Sequence, residues 1–272
     1  MDPHTQRVLS LCTGYGGLEL ALRMAGVATR PVAYVEREAY PAANLAALME
    51  EGLLPAAPVW DDVATFEGRC WRGLVEIITA GFPCQPFSTA GKHQHLEDER
   101  WLWPDIERIL RDVEPRAVFL ENVPGLTLRG LGPVLGTLSE LGLDAEWAVV
   151  RASDTHVGAP HTRARVFILA AHPEYRRSAL ADAVSERSQI DLRIREDARE
   201  ERETTVGGGW PPLPEDHDAW RDWVDAGGPQ PGVCRDSPGL ANRVERCRML
   251  GNGVVPQQAA YAFRLLWERL GQ

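Results

Sequence analysis

At 272 residues the chain has room for one full-size α/β domain and a small second lobe, and a hydrophobic share of 44% suffices for a soluble core. A net charge of −10 excludes a generic nucleic-acid binder held by an overall basic surface, while leaving open a basic cleft between acidic outer faces. No apolar run is long enough to span a bilayer, and Met1–Arg7 lacks the basic and apolar regions of a signal peptide, so a cytoplasmic protein with no membrane partner is expected. Cys12, Cys70, Cys84, Cys234 and Cys247 are odd in number, scattered and without a Cys-x-x-Cys pair, which argues against a disulfide framework or a bound metal.

Arg7–Cys12 alternates and reads as a first strand, followed by the turn Thr13–Gly17 and a helix over Leu18–Ala25 that Gly26 stops. A strand, a glycine turn and a helix in succession let a ligand approach the backbone closely. The spacing is neither Gly-x-Gly-x-x-Gly nor a phosphate-binding P-loop. Pro31–Glu36 is a second strand ending on a carboxylate, placed where Rossmann-like sheets use an acid to accept from ribose hydroxyls. A helix fits Ala39–Glu50, and Val59–Val63 holds a third strand end. Asp62 there suits an adenine amino group, or else caps a helix.

Val75–Ala80 is a β-branched apolar run that reads as a buried fourth strand, and Gly81 ends it. Pro83 and Pro86 stiffen the chain beyond Gly81 by fixing φ and removing two donors, so Cys84 is presented on a rigid turn at a strand's carboxyl end. The plainer alternative is a buried structural thiol. Ser88–Arg100 is a polar loop with Gly91 as pivot, in which His93 and His95 read as solvated. A helix over Trp101–Val113 leads to a fifth strand, Pro115–Glu121, which runs into Asn122-Val123-Pro124. In a doubly wound order the fourth and fifth strands are neighbours, so Cys84 and Glu121 are expected to face one pocket.

Gly130–Leu141 is a helix, Ala145–Val150 a sixth strand and Val166–Ala171 a seventh. Arg163 and Arg165, just before the last, share one face of an extended segment and form an oriented clamp for an anion or a carbonyl; a surface charge pair is the alternative. From Glu174 to Glu203 the composition is dense, sign-balanced charge, read as a solvated helix or an insert. Gly207–Pro238 carries glycines, prolines, Trp210, Trp220 and Trp223, and Arg243, Arg246 and Arg248 come after it. Gly251–Pro256 then opens a final amphipathic helix over Gln257–Arg269. The expected division is a catalytic domain over residues 1–172, a small target-recognition region over 173–248, and a returning segment and helix over 249–272.

Gly81–Ser88 resembles the catalytic Pro-Cys loop of the C5-cytosine DNA methyltransferase family, and the other family motifs come in the family's order. Thr13–Gly17 is similar to its S-adenosylmethionine loop, Glu121-Asn122-Val123 to its acid motif, Pro160–Arg165 to its Pro-Gln-x-Arg-x-Arg and Gly251–Pro256 to its Gly-Asn segment. His161 replaces the usual Gln, and Cys12 stands where an aromatic residue usually packs on adenine. The resemblance implies a Rossmann-like S-adenosylmethionine methyltransferase sheet with helices on both faces. It implies methyl transfer to carbon 5 of cytosine, with Cys84 adding to C6 of a flipped-out base and Glu121 assisting at N3. Arg165 is the better placed of the two arginines for the ring carbonyl, with Arg163 beside it. Cofactor contacts then fall to Cys12, Thr13, Gly14, Tyr15, Gly16, Gly17, Leu18, Glu36, Asp62, Pro83, Asn252 and Val254. Substrate contacts fall to Gln85, Ser88 and Asn122, with Arg243 and Arg246 as DNA readers. The implied partners are double-stranded DNA, which would hold a cytoplasmic monomer near the nucleoid, and a separately encoded restriction endonuclease. A transfer-RNA cytosine methyltransferase and a non-catalytic S-adenosylmethionine-binding regulator are the alternatives.

Overall fold

The computed structural model describes residues 5–83, 101–159, 161–176, 249 and 251–271. Cys84, Gln85, Ser88 and Pro160 lie outside the described residues. So does residue span 177–248, with Arg243, Arg246 and most of the expected target-recognition region.

The apolar runs form seven strands, β1 (Gln6–Leu11), β2 (Thr29–Val35), β3 (Val59–Trp60), β4 (Ile77–Ala80), β5 (Ala117–Asn122), β6 (Asp144–Arg151) and β7 (Ala164–Ala171). The helices between and after them are α1 (Gly17–Met24), α2 (Ala39–Glu50), α3 (Trp103–Val113), α4 (Leu126–Arg129), α5 (Leu131–Glu140), α6 (Pro173–Arg176) and α7 (Pro256–Leu270). One sheet has the order β3-β2-β1-β4-β5-β7-β6. The first five strands are parallel, whereas β7 runs antiparallel to both β5 and β6. The expected Rossmann-like sheet is therefore present, with a reversal at one edge that periodicity did not predict. Its cause is local: β6 and β7 are joined without a crossover helix, and such a connection pairs strands antiparallel.

Alternation assigns each strand residue to a face. Ile78, Ala80, Val118 and Leu120 pack against α3 and α5. Val8, Ile77, Ala117 and Phe119 pack against α1 and α7, so helices cover both faces. Phe119 is fully buried between Phe167 and Phe263, with ring centroids at 5.9 and 5.3 Å, so Phe119→Ala should cost roughly 3–5 kcal/mol. Ser10, Thr79, Gly81 and Glu121 have the parity of the α1/α7 face. Helix α3 shows how local signals act together. Pro104 stands in its first turn, Ile106, Ile109, Leu110 and Val113 bury one stripe, and Glu114 ends it in a left-handed conformation at φ 52°.

The third strand ends at Trp60, where the chain turns and Asp62 caps a 3-10 turn over Val63–Thr65. Two sequence expectations change. The helix expected from Gly130 is preceded by the separate turn α4, with Gly130 at the junction. Val75 is buried but unpaired, so β4 starts at Ile77.

Candidate active site

The chain leaves β1 into α1 on one face of the sheet and leaves β4 toward α3 on the other. Adjacent parallel strands whose connections diverge open a crevice at their carboxyl ends, the usual ligand site of such sheets. Cys12–Gly16 forms one wall. Cys12 itself is left-handed at φ 51°, a strained conformation for a non-glycine residue, and burial beside Glu36, Asp62 and Asp105 pushes its thiol up to about 12, so it is inert as a nucleophile. Gly14 has φ 60° and open space where a side chain would be. Its N–H donates to Glu36 Oε2 at 2.7 Å, and Glu38 N–H donates to Oε1 at 2.8 Å. Burial raises the Glu36 pKa and the two amides oppose it, leaving an oriented carboxyl at the crevice edge. Asp62 accepts from Ala64 N at 3.0 Å, so its cap role is realised, at the end of the neighbouring strand. Arg108 on α3, which no sequence motif singles out, holds this rim by donating to the carbonyls of Val63, Ala64 and Phe66.

The segment before α7 closes the crevice from the opposite side. A Cβ on Gly17 would meet Val254 O at 2.8 Å, and one on Gly253 would meet the Tyr15 ring at 1.9 Å. Tyr15 OH donates to Val254 O, and Val254 is buried while Asn252 is exposed. Arg163 donates to Gly251 O at 2.6 Å and to Gly253 O. The two arginines expected to form one clamp are thus split. Arg163 ties down the returning segment, and Arg165 turns to the acid.

Glu121 is 5% exposed, at the end of β5 beside β4. Arg165 Nε lies 3.0 Å from its Oε1 as an ion pair without an aligned hydrogen bond, and among the described residues Oε1 has no aligned donor. Burial pushes the carboxyl up to about 7, against the pull of Arg165 and Arg163. Gly81 joins the parts: its missing Cβ would lie 3.7 Å from Cys12 O and Val254 Cγ2 and 3.9 Å from Glu121 Oε2. Asn122 is buried beside the acid. Its amide donates to Phe82 O at 3.0 Å and its oxygen accepts from Val123 N at 2.8 Å, both main-chain partners. It therefore fixes the chain two residues before Cys84. Phe82 also packs on Trp101 and Trp103, at 6.0 and 5.7 Å, and these rings hold both chain ends flanking residues 84–100. Gln258, another residue not singled out from sequence, donates from α7 to Val150 O and Arg163 O, both at 2.8 Å.

A largely parallel sheet with a switch-point crevice, a glycine turn facing an oriented carboxyl, and a buried acid raised to about 7 beside an arginine mark a Rossmann-like fold with a ligand crevice. Residues 6–208 match the family described as C-5 cytosine-specific DNA methylase, and the chain belongs to that family. The type II methyltransferase M.NgoMIV of Neisseria gonorrhoeae is 33% identical over 179 residues, covering 61% of this chain and 52% of the relative. M.CviJI of Paramecium bursaria Chlorella virus IL3A is 36% identical over 171 residues, covering 62% and 44%. The chain thus spans about half the length of these curated relatives. Among solved structures, the Entamoeba histolytica methyltransferase EhMeth shares the fold at a TM-score of 0.52 and 15% identity, covering 61% of this chain and 53% of that one. S-adenosylmethionine, the family's methyl donor, fits the crevice: Gly14 leaves room for it and Glu36 offers a fixed acceptor to its ribose hydroxyls.

Proposed function

We propose that the chain methylates carbon 5 of cytosine in duplex DNA. The observation that carries this reading is Glu121, a buried acid at about 7 beside Arg165, one residue beyond the β4–β5 pairing and next to Gly81. Carbon 5 is a poor nucleophile until a thiolate adds to carbon 6, and that addition places negative charge at N3 unless an acid meets it. Cys84 would supply the thiolate and Glu121 the N3 proton or hydrogen bond, while Arg165 donates to the ring carbonyl. S-adenosylmethionine supplies an electrophilic methyl group, held by the Thr13–Gly17 turn and Glu36. Loss of the carbon 5 proton to water, return of the N3 proton to Glu121 and expulsion of the thiolate from carbon 6 then restore the aromatic ring and free Cys84. A base stacked in a duplex does not expose its ring to an enzyme pocket, so the cytosine is flipped out.

Target choice is assigned to the stretch Gly207–Arg248, through Arg243 and Arg246, with the charged stretch that follows α6, up to Glu203, a tolerant insert. A monomer acting on DNA with a separately encoded endonuclease as genetic partner suits the type II relatives. The test is methyl transfer from labelled S-adenosylmethionine to duplex DNA and to transfer RNA in parallel, with Cys84→Ser as control. Transfer to DNA, lost in the serine variant, is expected. Transfer to RNA alone would make the substrate RNA, and donor binding without transfer to either would make the chain a regulator.

A further inference from the structure

Below the crevice, the α1/α7 face of the sheet carries a buried polar cluster that neither the donor contacts nor the acid motif uses. Ser10 on β1 and Thr79 on β4 are register partners, 2% and 0% exposed, and both have the parity that faces α1. Glu19 descends onto them from the first turn of α1 and is 1% exposed. Thr79 Oγ1 donates to Glu19 Oε1 at 2.5 Å, and the Ser10 hydroxyl is a second hydrogen-bonding neighbour of that carboxyl. Ser10 Oγ also lies 2.9 Å from Thr13 Oγ1, which reaches Val35 O at 3.3 Å. Glu19 Oε2 has no partner among the described residues, and no arginine among them forms an ion pair with the carboxyl. A leucine over a valine would fill this space without burying polar groups, each of which costs about 1–3 kcal/mol when left unsatisfied.

The placement gives the cluster a use. Glu19 lies two residues beyond Gly17, and Thr79 two residues before Gly81. One directional hydrogen bond therefore ties the turn that holds the donor to the strand that leads into the Pro-Cys loop. Apolar packing alone would let α1 slide or rotate on the sheet, and buried polar contacts are best attested as devices that set register. We propose that Glu19 is a positioning residue whose contact with Thr79 pins the donor-binding turn to the nucleophile-bearing strand. The pin is a property of the fold, and its effect on turnover rests on the methyl-transfer reading above. Burial raises the Glu19 pKa, against the hydrogen bonds from Thr79, Ser10 and its own amide.

The test changes one element and reads the other. Thr79→Val swaps an oxygen for a methyl at nearly constant volume and suits a buried strand. By hydrogen exchange it should speed the amides of Gly14–Leu18, across the sheet from the substitution, by about 10-fold or more. Thr79→Ser, which keeps the hydroxyl, should restore wild-type exchange, and Glu19→Gln, which keeps the acceptor, should preserve it. In steady-state assays Thr79→Val should lower kcat by about 10-fold or more, as loss of approach geometry does, with affinity for S-adenosylhomocysteine within about 3-fold of wild type. Faster exchange confined to β4 would overturn the pin. A normal kcat alongside faster exchange in the turn would overturn its role in positioning. If the wild type transfers methyl groups to neither nucleic acid, the functional reading fails and the exchange experiment alone decides the pin.

Discussion

Two glutamates sit under the same face of one sheet, and their neighbours make them different acids. Glu121 lies between β5 and the start of β7 with Arg165 at 3.0 Å and Arg163 close enough to act on it. Glu19 lies between α1 and β4 with the Thr79 and Ser10 hydroxyls and its own main-chain amide as neighbours. Burial pushes both upward. At Glu121 the guanidiniums pull back, and the balance at about 7 leaves a carboxyl able to exchange a proton near neutral pH. At Glu19 burial is opposed only by hydrogen bonds from Thr79, Ser10 and its own amide, so its pKa is raised and the group serves as a fixed hydrogen-bonding partner. The two carboxyls thus differ in what opposes burial: guanidiniums at Glu121, hydroxyls and a main-chain amide at Glu19.

The largest expected effect breaks the reactive side of that comparison. Glu121→Gln keeps the shape and loses the acid, so turnover should fall roughly 10²–10⁴-fold while S-adenosylhomocysteine affinity barely moves in calorimetry. Wild-type turnover should decline as pH rises through about 7, where the acid form is lost, and the variant's pH profile should lack that limb. Stability carries the same sign. The folded pKa is raised above the ordinary 4.5, so the contribution of the neutral form is fully present below that value and is lost as pH rises through about 7. Glu121→Gln should therefore melt above the wild type at pH 8, and the two should converge near pH 4. Coincident melts at pH 8 would mean that the carboxyl is not destabilised by burial.

Removing the opposing pull should have a smaller effect. Arg165→Leu should cost turnover roughly 10–10²-fold and move the alkaline limb to higher pH, because burial is then less opposed. A limb that stays in place would show that Arg165 does not tune the acid. Smaller again, Glu36→Ala should weaken S-adenosylhomocysteine binding by about 10-fold, the size of one charge-assisted hydrogen bond, without changing the DNA concentration needed for half-maximal rate. Unchanged product affinity would remove Glu36 from the donor site. Gly253→Ala, which drives a methyl into the Tyr15 ring, should lower donor affinity by a similar or smaller factor, read by the same titration.

Much of this is legible in one dimension because it is local. The first five strands, the glycine turn, the carboxylate at the end of the second strand and Glu121 at the end of the fifth each come from patterns within about a dozen residues. The adjacency of β4 and β5 comes from the ordinary order of a doubly wound sheet. Alternation also tells which residues share a face, and Arg163 and Arg165 do lie on one side.

What they touch was decided by the tertiary structure. Arg163 is spent on carbonyls 88 and 90 residues away, and only the antiparallel return of β7 puts Arg165 against Glu121. The family resemblance points Asn122 to substrate, and its amide donates to a carbonyl 40 residues back. Glu19 draws no notice in the sequence, since a glutamate in the first turn of an amphipathic helix reads as a favourable surface charge, and only the strand 60 residues downstream reveals it as buried. Sequence periodicity specifies a direction from the backbone. The identity of the group found there depends on which distant segment folds against it, and in this chain that choice sets one buried acid beside guanidiniums and the other beside hydroxyls.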